Sequence, residues 1–282
     1  MEVLESINSL REKISSLKNQ AQKIGFVPTM GALHNGHIAL IKQAMLECDY
    51  VICSIFVNPA QFNNPDDLEK YPKTLSTDMQ LLMQVDCDAL FIPSIEVMYP
   101  KVSSTSFQFG SLEKVMEGSY RPGHFSGVGL IVSKLFNIVQ PDLAFFGQKD
   151  WQQVQIINCL IRDLNFPILL RVIETERDEN GLALSSRNQR LTEQGRINAS
   201  RLYQYLILGK QMLQEGRQPK STKQYLIEKI KVDAFLELEY LNIANSITLQ
   251  EVDENEQSNE LVICIAAYIE GVRLIDNILF RN

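Results

Sequence analysis

At 282 residues and 45% hydrophobic content, the chain can fill one large core or two medium ones. Its 27 basic and 34 acidic residues give a formal net charge of -7, which disfavours nucleic acid or an anionic membrane surface as a partner. No stretch approaches the roughly 20 apolar residues of a bilayer span, and the opening MEVLESINSLREKISS lacks the apolar centre of a signal peptide, so a cytoplasmic chain is expected.

Ile7, Leu10, Ile14 and Leu17 recur at helical spacing and predict an amphipathic helix ahead of a first strand at Ile24 to Thr29. Apolar, β-branched runs at Tyr50 to Val57, Ala89 to Ile92, Leu143 to Phe146 and Ile168 to Ile173 alternate with helical patterns near 37–47, 75–85, 127–139 and 151–164. Short, almost wholly apolar strands separated by helices predict an α/β parallel sheet covered on both faces. After Glu174 the texture changes. The polar turn Asp178-Glu179-Asn180-Gly181 leads into helical patterns at 192–215 and 221–231. Three consecutive strands follow at Leu236 to Ile243, Leu261 to Ile269 and Val272 to Ile278, the last two joined by Glu270-Gly271. The expectation is a first domain over 1–175 and a smaller α+β domain with an antiparallel sheet over 176–282. The acidic stretch Glu251 to Glu260 reads as a solvated loop. The cysteines (Cys48, Cys53, Cys87, Cys159, Cys264) are odd in number and form no CxxC pair, which points to small core filler rather than a disulfide framework or a zinc site.

Two of the three histidines lie in Pro28-Thr29-Met30-Gly31-Ala32-Leu33-His34-Asn35-Gly36-His37, between the first strand and the first long helix. That is the carboxyl edge of a parallel strand, where ligands of open α/β sheets bind. A helix starting near Gly36 is expected to aim unpaired N–H groups and a positive dipole end at this place, which suits phosphate, and Gly31 and Gly36 let the backbone approach closely. His34 and His37 fall on one side of the turn, where each can donate a hydrogen bond to a phosphate oxygen. An incidental helix cap and a metal pair are the competing readings, the latter lacking a third ligand nearby in sequence.

Further segments follow in order: Phe56-Val57-Asn58-Pro59-Ala60-Gln61-Phe62, Tyr71-Pro72-Lys73-Thr74, Arg121-Pro122-Gly123-His124-Phe125, Phe146-Gly147-Gln148-Lys149-Asp150-Trp151-Gln152-Gln153 and Leu184-Ser185-Ser186-Arg187-Asn188. Gln61 and Gln153 lie just past strand ends and offer donors and an acceptor without charge, which suits a hydroxy acid. Lys149 can reach phosphate oxygens and offset charge on a leaving group, and Asp150 can hold ribose, Mg²⁺ or the lysine itself. Arg187 has the planar fork that grips phosphate, the alternative being an arginine after a helix cap formed by the serines. Cations gathered in the loops of an acidic chain predict a local cationic cleft.

The HxGH element resembles the signature of the nucleotidyltransferase superfamily. The ordered segments, with the closing Arg273-Leu274-Ile275-Asp276-Asn277, resemble the pantothenate synthetase family over nearly the whole chain. The resemblance implies a Rossmann-like parallel-sheet nucleotidyltransferase domain and a smaller C-terminal α+β domain closing over the ATP site. It implies ATP-dependent condensation of pantoate with β-alanine through a pantoyl-adenylate, with ATP and Mg²⁺ required, and a homodimer formed through the N-terminal domain. It implies ATP binding by Met30-Gly31-Ala32-Leu33-His34-Asn35-Gly36-His37, Gly147-Gln148-Lys149-Asp150, Glu176 and Leu184-Ser185-Ser186-Arg187. Catalytic roles would fall to His37, His34 and Lys149, pantoate binding to Gln61 and Gln153, and β-alanine binding also to Gln61. Asp78 is a candidate Mg²⁺ contact, direct or through water, or else a helix-surface carboxylate. Arg121 and His124 either lie near the site or hold their own turn. The chain departs from the family pattern at Gln148, commonly glutamate, at Lys73, commonly arginine, and at Glu176, often valine.

Overall fold

The structure is a computed structural model that describes residues 1–63, 65–252 and 260–281. In chain order the elements are β1 (Glu2–Leu4), α1 (Ile7–Asn19), β2 (Ile24–Thr29), α2 (Asn35–Glu47), β3 (Tyr50–Ile55), α3 (Pro65–Glu69), α4 (Leu75–Gln84), β4 (Ala89–Phe91), α5 (Ile95–Met98), α6 (Met116–Tyr120), α7 (His124–Val139), β5 (Leu143–Gly147), α8 (Trp151–Asp163) and β6 (Leu169–Ile173). They are followed by α9 (Glu193–Ala199), α10 (Arg201–Gln214), α11 (Pro219–Lys231), β7 (Glu237–Asn245), β8 (Glu260–Ile269) and β9 (Val272–Arg281). Among the described residues the strands form a six-stranded parallel sheet, ordered β1-β4-β3-β2-β5-β6, and a three-stranded antiparallel sheet, ordered β7-β8-β9. The chain divides into two compact units. The first comprises Met1–Phe109, Arg121–Gly147 and Ile156–Glu174, and the second comprises Gly110–Tyr120, Gln148–Gln155 and Thr175–Asn282.

In the first unit, Ile24, Phe26 and Val27 of β2 and Val51, Ile52 and Cys53 of β3 are all buried, as central strands covered on both faces require. Helix α1 buries Leu10, Ile14 and Leu17, the stripe its spacing predicts, and Ser6 caps it by accepting the Ser9 N–H. The chain leaves β2 toward β3 on one side, while β5 lies on the other. The carboxyl ends of β2 and β5 therefore flank the point where strand order reverses, the place such sheets reserve for ligands. Three residues at the start escape sequence reading: Glu2–Leu4 forms an edge strand on β4, too short for any periodicity. The opposite edge, β6, leaves Leu169 53% exposed and is not the doubly covered strand its apolar run suggests.

In the second unit, β8 is the central strand and is buried almost throughout. Leu202, Leu206 and Leu213 of α10 and Leu226 and Ile230 of α11 share a core with Ile263 and Ile265. The helical pattern at 192–215 is two helices, because Ser200 ends α9 and begins α10. Of the acidic stretch, residues 253–259 lie outside the described residues, and its ends are ion-paired, Glu251 with Lys223 and Glu260 with Arg281. Cys53, Cys87 and Cys264 are buried filler and Cys48 and Cys159 are half-buried; desolvation pushes the Cys48 and Cys87 thiols up to about 11.

Segments 110–120 and 148–155 precede residue 175 in sequence, yet they pack with the second unit, and one buried charge cluster explains the first of them. A bulge in β7 lies between Leu238 and Tyr240, so Glu239 is the extra residue. The Arg273 guanidinium donates to Glu239 at 2.9 Å and to both oxygens of Glu117 at 2.6 and 2.9 Å, while the Tyr240 hydroxyl donates to Glu117 at 2.9 Å. Burial opposes the arginine charge, but the hydrogen bonds and charges of Glu117 and Glu239 outweigh it and raise Arg273 above its ordinary value. Replacing Arg273 with methionine leaves two carboxylates facing each other without a cation. The expected loss of stability is about 3 kcal/mol, in the range for breaking a buried pair from one side. Urea unfolding followed by Trp151, the one tryptophan of the chain and a member of this unit, measures it directly.

Candidate active site

The turn after β2 is built on two left-handed residues, Gly31 (φ 82) and Ala32 (φ 51). Ala32 has no glycine freedom, and holding it there costs about 1–2 kcal/mol. The stabilising partner is Asp78 of α4, 1% exposed, whose Oδ2 accepts the Ala32 N–H at 2.9 Å and whose Oδ1 accepts the Leu33 N–H at 2.8 Å and the Thr74 hydroxyl at 3.1 Å. This corrects one reading of Asp78 from the sequence: the carboxylate is not on the helix surface, and both of its oxygens accept hydrogen bonds that shape the turn.

A second correction concerns the backbone donors. Gly31 N–H donates to Thr29 Oγ1 (3.2 Å), His34 N–H to His37 Nδ1 (3.3 Å), Gly36 N–H to His34 Nδ1 (3.2 Å) and His37 N–H to the His34 carbonyl (2.8 Å). With Ala32 and Leu33 held by Asp78, the turn does not present the row of unpaired N–H groups expected of it. The helix cap and the histidine pair are one feature: His34 is the N-cap of α2, the two side chains cap each other's backbone, and the rings lie 4.1 Å apart between centroids. Because each Nδ1 accepts a backbone N–H, the ring proton of each histidine resides on Nε2.

Gln61 follows β3 in a short 3-10 turn, Pro59–Gln61, and is buried. Its amide has a fixed polarity. Asn58 Oδ1 accepts the Ala60 N–H (3.3 Å) and the Tyr99 hydroxyl (2.8 Å), so Asn58 Nδ2 is the donor to Gln61 Oε1 (3.2 Å) and to the Gly127 carbonyl (3.1 Å). Burial pushes the Tyr99 phenol up to about 12, which keeps it a donor at neutral pH. Gln61 is left with Nε2 turned toward Met30, 2.7 Å from its sulfur, and so presents N–H groups to its surroundings.

In the second unit, Asn277 Nδ2 donates to the carbonyls of Gln148 (2.9 Å) and Lys149 (2.7 Å), fixing the turn that follows β5. The Lys149 ammonium lies 3.7 Å from Asp150, whose side chain is 48% exposed. Trp151 anchors the start of α8 by donating to the Ser246 carbonyl at 2.8 Å. Neighbouring Asp276 receives Arg177 through two hydrogen bonds of 2.6 and 2.9 Å; burial raises its carboxyl and the arginine draws it back. Lys149, Ser185, Asn188 and Asp276 line a small cavity. Ser185 caps the 3-10 turn Ser186–Arg190 by accepting the Arg187 N–H at 3.3 Å, and the Glu176 carbonyl accepts the Leu184 N–H at 2.9 Å. Gln153 is half-buried on α8, while Gln152 is buried and ties α8 to the carbonyls of Leu112 and Val115.

Within the first unit the structure thus joins His34, His37 and Asp78 in one turn and sets Gln61 beside Met30. Within the second it gathers Lys149, Ser185 and Asn188 around Asp276. Sequence reading missed Asn58, Tyr99, Arg177, Asp276 and Asn277 as organisers. Asn58, Asp276 and Asn277 lie in quoted segments, but Tyr99 and Gly127 for the first, Arg177 for the second and Gln148 and Lys149 for the third are remote in sequence.

Replacing Asp78 with asparagine swaps an acceptor for a donor opposite a backbone N–H. The expected outcome is a loss of stability of about 1–3 kcal/mol and at least a tenfold slower nucleotide-dependent step, with the Mg²⁺ concentration dependence unchanged. Thermal unfolding and a Mg²⁺ titration of the activity check the two parts.

The sequence profile described as Pantoate-beta-alanine ligase matches residues 2–279. The chain is 45% identical over 276 residues to a pantothenate synthetase of Cytophaga hutchinsonii, covering 97% of each chain, and 44% identical over 283 residues to that of Bacteroides thetaiotaomicron, covering all of both. Its fold matches a crystal structure of pantothenate synthetase from Thermus thermophilus with a TM-score of 0.91, at 36% identity and 99% coverage of both chains. It also matches pantoate-β-alanine ligase from Francisella tularensis, solved in complex with β-γ ATP and β-alanine, with a TM-score of 0.82 and 40% identity over 99% of this chain and 97% of that one. With the profile spanning the chain nearly end to end and relatives this similar at full length, the chain belongs to the pantoate-β-alanine ligase family.

Proposed function

We propose that the protein condenses pantoate with β-alanine to pantothenate, activating the acid with ATP as a pantoyl-adenylate and releasing AMP and pyrophosphate. The full-length family match carries this reading, and the paired Nε2–H donors at the strand-order reversal support it. A pantoate carboxylate oxygen attacks the α-phosphorus of ATP, and the bond to the pyrophosphate oxygen breaks. His34 and His37 donate to the phosphoryl oxygens as charge builds on them, and Lys149 offsets charge on the departing pyrophosphate. The amine of β-alanine then attacks the acyl carbon, the bond to the AMP oxygen breaks, and the amine loses a proton. Positioning and electrostatics suffice, with no covalent enzyme intermediate.

Gln61 presents donors and therefore suits oxygen acceptors of pantoate and the carboxylate of β-alanine; Gln153 would hold pantoate as well. Met30 to His37, Gly147 to Asp150, Glu176 and Leu184 to Arg187 would line the nucleotide. Mg²⁺ fits as a companion of the triphosphate: no group of three histidine, cysteine or acidic residues suited to a metal occurs among the described residues, and Mg²⁺ commonly binds through substrate phosphates and water. A cytoplasmic homodimer remains the expectation for the assembly, and no described helix is long and apolar enough to cross a membrane.

Mass spectrometry of a reaction containing ATP, Mg²⁺, pantoate and β-alanine, each omitted in turn, tests the reading; no pantothenate from the complete mixture would remove it. Pyrophosphate–ATP exchange should require pantoate and proceed without β-alanine. His37→Ala should slow adenylate formation by roughly 10²- to 10⁴-fold in a folded protein. Gln153→Ala should weaken apparent pantoate affinity roughly 5- to 150-fold while sparing ATP binding, and Lys149→Ala should do the reverse. Equal losses for both substrates in both variants would reassign the two residues to holding their own surroundings.

A further inference from the structure

Arg121 and His124 have no role in the reaction above, yet they bear on the turn that carries Gln61. His124 is 7% exposed at the first position of α7, and its Nδ1 lies 2.8 Å from the Gln61 carbonyl oxygen. Its Nε2 lies 3.1 Å from Nη1 of Arg121. A guanidinium has N–H donors and no acceptor, so Nε2 must offer its lone pair. The ring proton then sits on Nδ1 and is donated to the Gln61 carbonyl. A doubly protonated ring would turn an N–H, and a like charge, against the arginine. His124 thus carries its ring proton on Nδ1, the opposite tautomer to that of His34 and His37.

The turn at Gln61 is short and draws on contacts outside it. It is a single 3-10 turn whose Gln61 N–H reaches the Asn58 carbonyl at 3.3 Å. Helix α7 supports it at three points, one of them the Gly127 carbonyl, which accepts from Asn58 Nδ2 at 3.1 Å. A Cβ on Gly127 would fall 2.1 Å from the Ala60 carbonyl oxygen, so only glycine allows this approach, and one turn earlier His124 takes the next carbonyl, that of Gln61. We propose that His124 is a positioning residue for the substrate-binding amide of Gln61, with Arg121 selecting the tautomer in which it can act. Without the His124 N–H, the Gln61–Phe62 peptide plane is held only by the Phe62 N–H bond to the Pro59 carbonyl at 3.2 Å, and the looser plane lets the side-chain amide shift. A misplacement of about 1 Å is enough to degrade substrate positioning. The proposal rests on the reading of Gln61 as a pantoate ligand.

Kinetics and spectroscopy test it separately. His124→Gln should raise the apparent KM for pantoate roughly 5- to 50-fold and leave the KM for ATP within about twofold. His124→Asn, whose amide nitrogen stands close to where Nδ1 stood, should recover most of the loss. Combined with Gln61→Ala, the His124→Gln penalty should vanish rather than add, because both act through one group. Additive penalties, or a His124→Gln enzyme with unchanged pantoate KM, would overturn the proposal. The chain has only three histidines, so nitrogen-15 spectra of the intact protein, assigned with the two His124 variants, resolve each ring. His124 should carry its proton on Nδ1 while the other two carry theirs on Nε2; a proton on His124 Nε2 would refute the arrangement whatever the kinetics. If Gln61→Ala alone leaves pantoate KM unchanged, the reading of Gln61 fails and takes the positioning role with it. The spectra would still show whether the ring holds the turn.

Discussion

A carboxylate with almost no exposure to solvent stands behind the histidine turn, and the geometry in front of it depends on that placement. Asp78 collects two consecutive backbone N–H groups that a left-handed Ala32 would otherwise leave unsatisfied. An unpaired buried donor costs about 1–3 kcal/mol, comparable to the strain of the turn itself, so the carboxylate offsets both. Once residues 31–33 are fixed, His34 falls into the N-cap position of α2 and the imidazole pair closes over the first helical turn. A surface carboxylate on α4 could not do this, because water would compete for the same N–H groups.

The side chains of the candidate site share a way of acquiring direction. Imidazoles and amides are ambiguous groups, since each can present a donor or an acceptor at a given edge. In this protein backbone groups resolve the ambiguity. N–H groups of the turn fix the proton of His34 and His37 on Nε2, and the Ala60 N–H fixes Asn58, which in turn fixes Gln61. The carbonyls of Gln148 and Lys149 orient Asn277. Within the first unit the fixed amide of Gln61 turns N–H groups outward, which suits carboxylate oxygen, and within the second the Lys149 cation suits phosphate.

The second unit relies on charge in a different manner. Arg273 and Arg177 are each matched to buried carboxylates, and both arginines serve strands or turns rather than solvent. Pairs of this kind contribute little net stability compared with apolar packing, but they punish any arrangement that separates the partners. That asymmetry suits segments 110–120 and 148–155, short pieces with little apolar surface of their own. Glu117 for the first and Asn277 for the second give them one admissible seat on the antiparallel sheet.

Much of the architecture is written in local pattern. The alternation of short apolar runs with helical stripes determines the parallel sheet, and the spacing of Leu10, Ile14 and Leu17 determines the buried face of α1. The ordered segments around His34, Gln61, Lys149 and Arg187 determine the family, because residue type and order survive in a string of letters. Directions do not survive there. Whether Asp78 faces water or the Ala32 N–H depends on how α4 packs, and whether His124 belongs to the site or to its own turn depends on a contact 63 positions away in the chain. Edge strands escape for a related reason: three residues at Glu2–Leu4 have no periodicity, and only pairing with β4 makes them a strand. The sequence by itself determined the fold class and the family, since these follow from composition, period and order. The tertiary structure alone decided which atom of each group is committed to holding its surroundings, because hydrogen-bond polarity is settled by partners that only folding brings within about 3 Å.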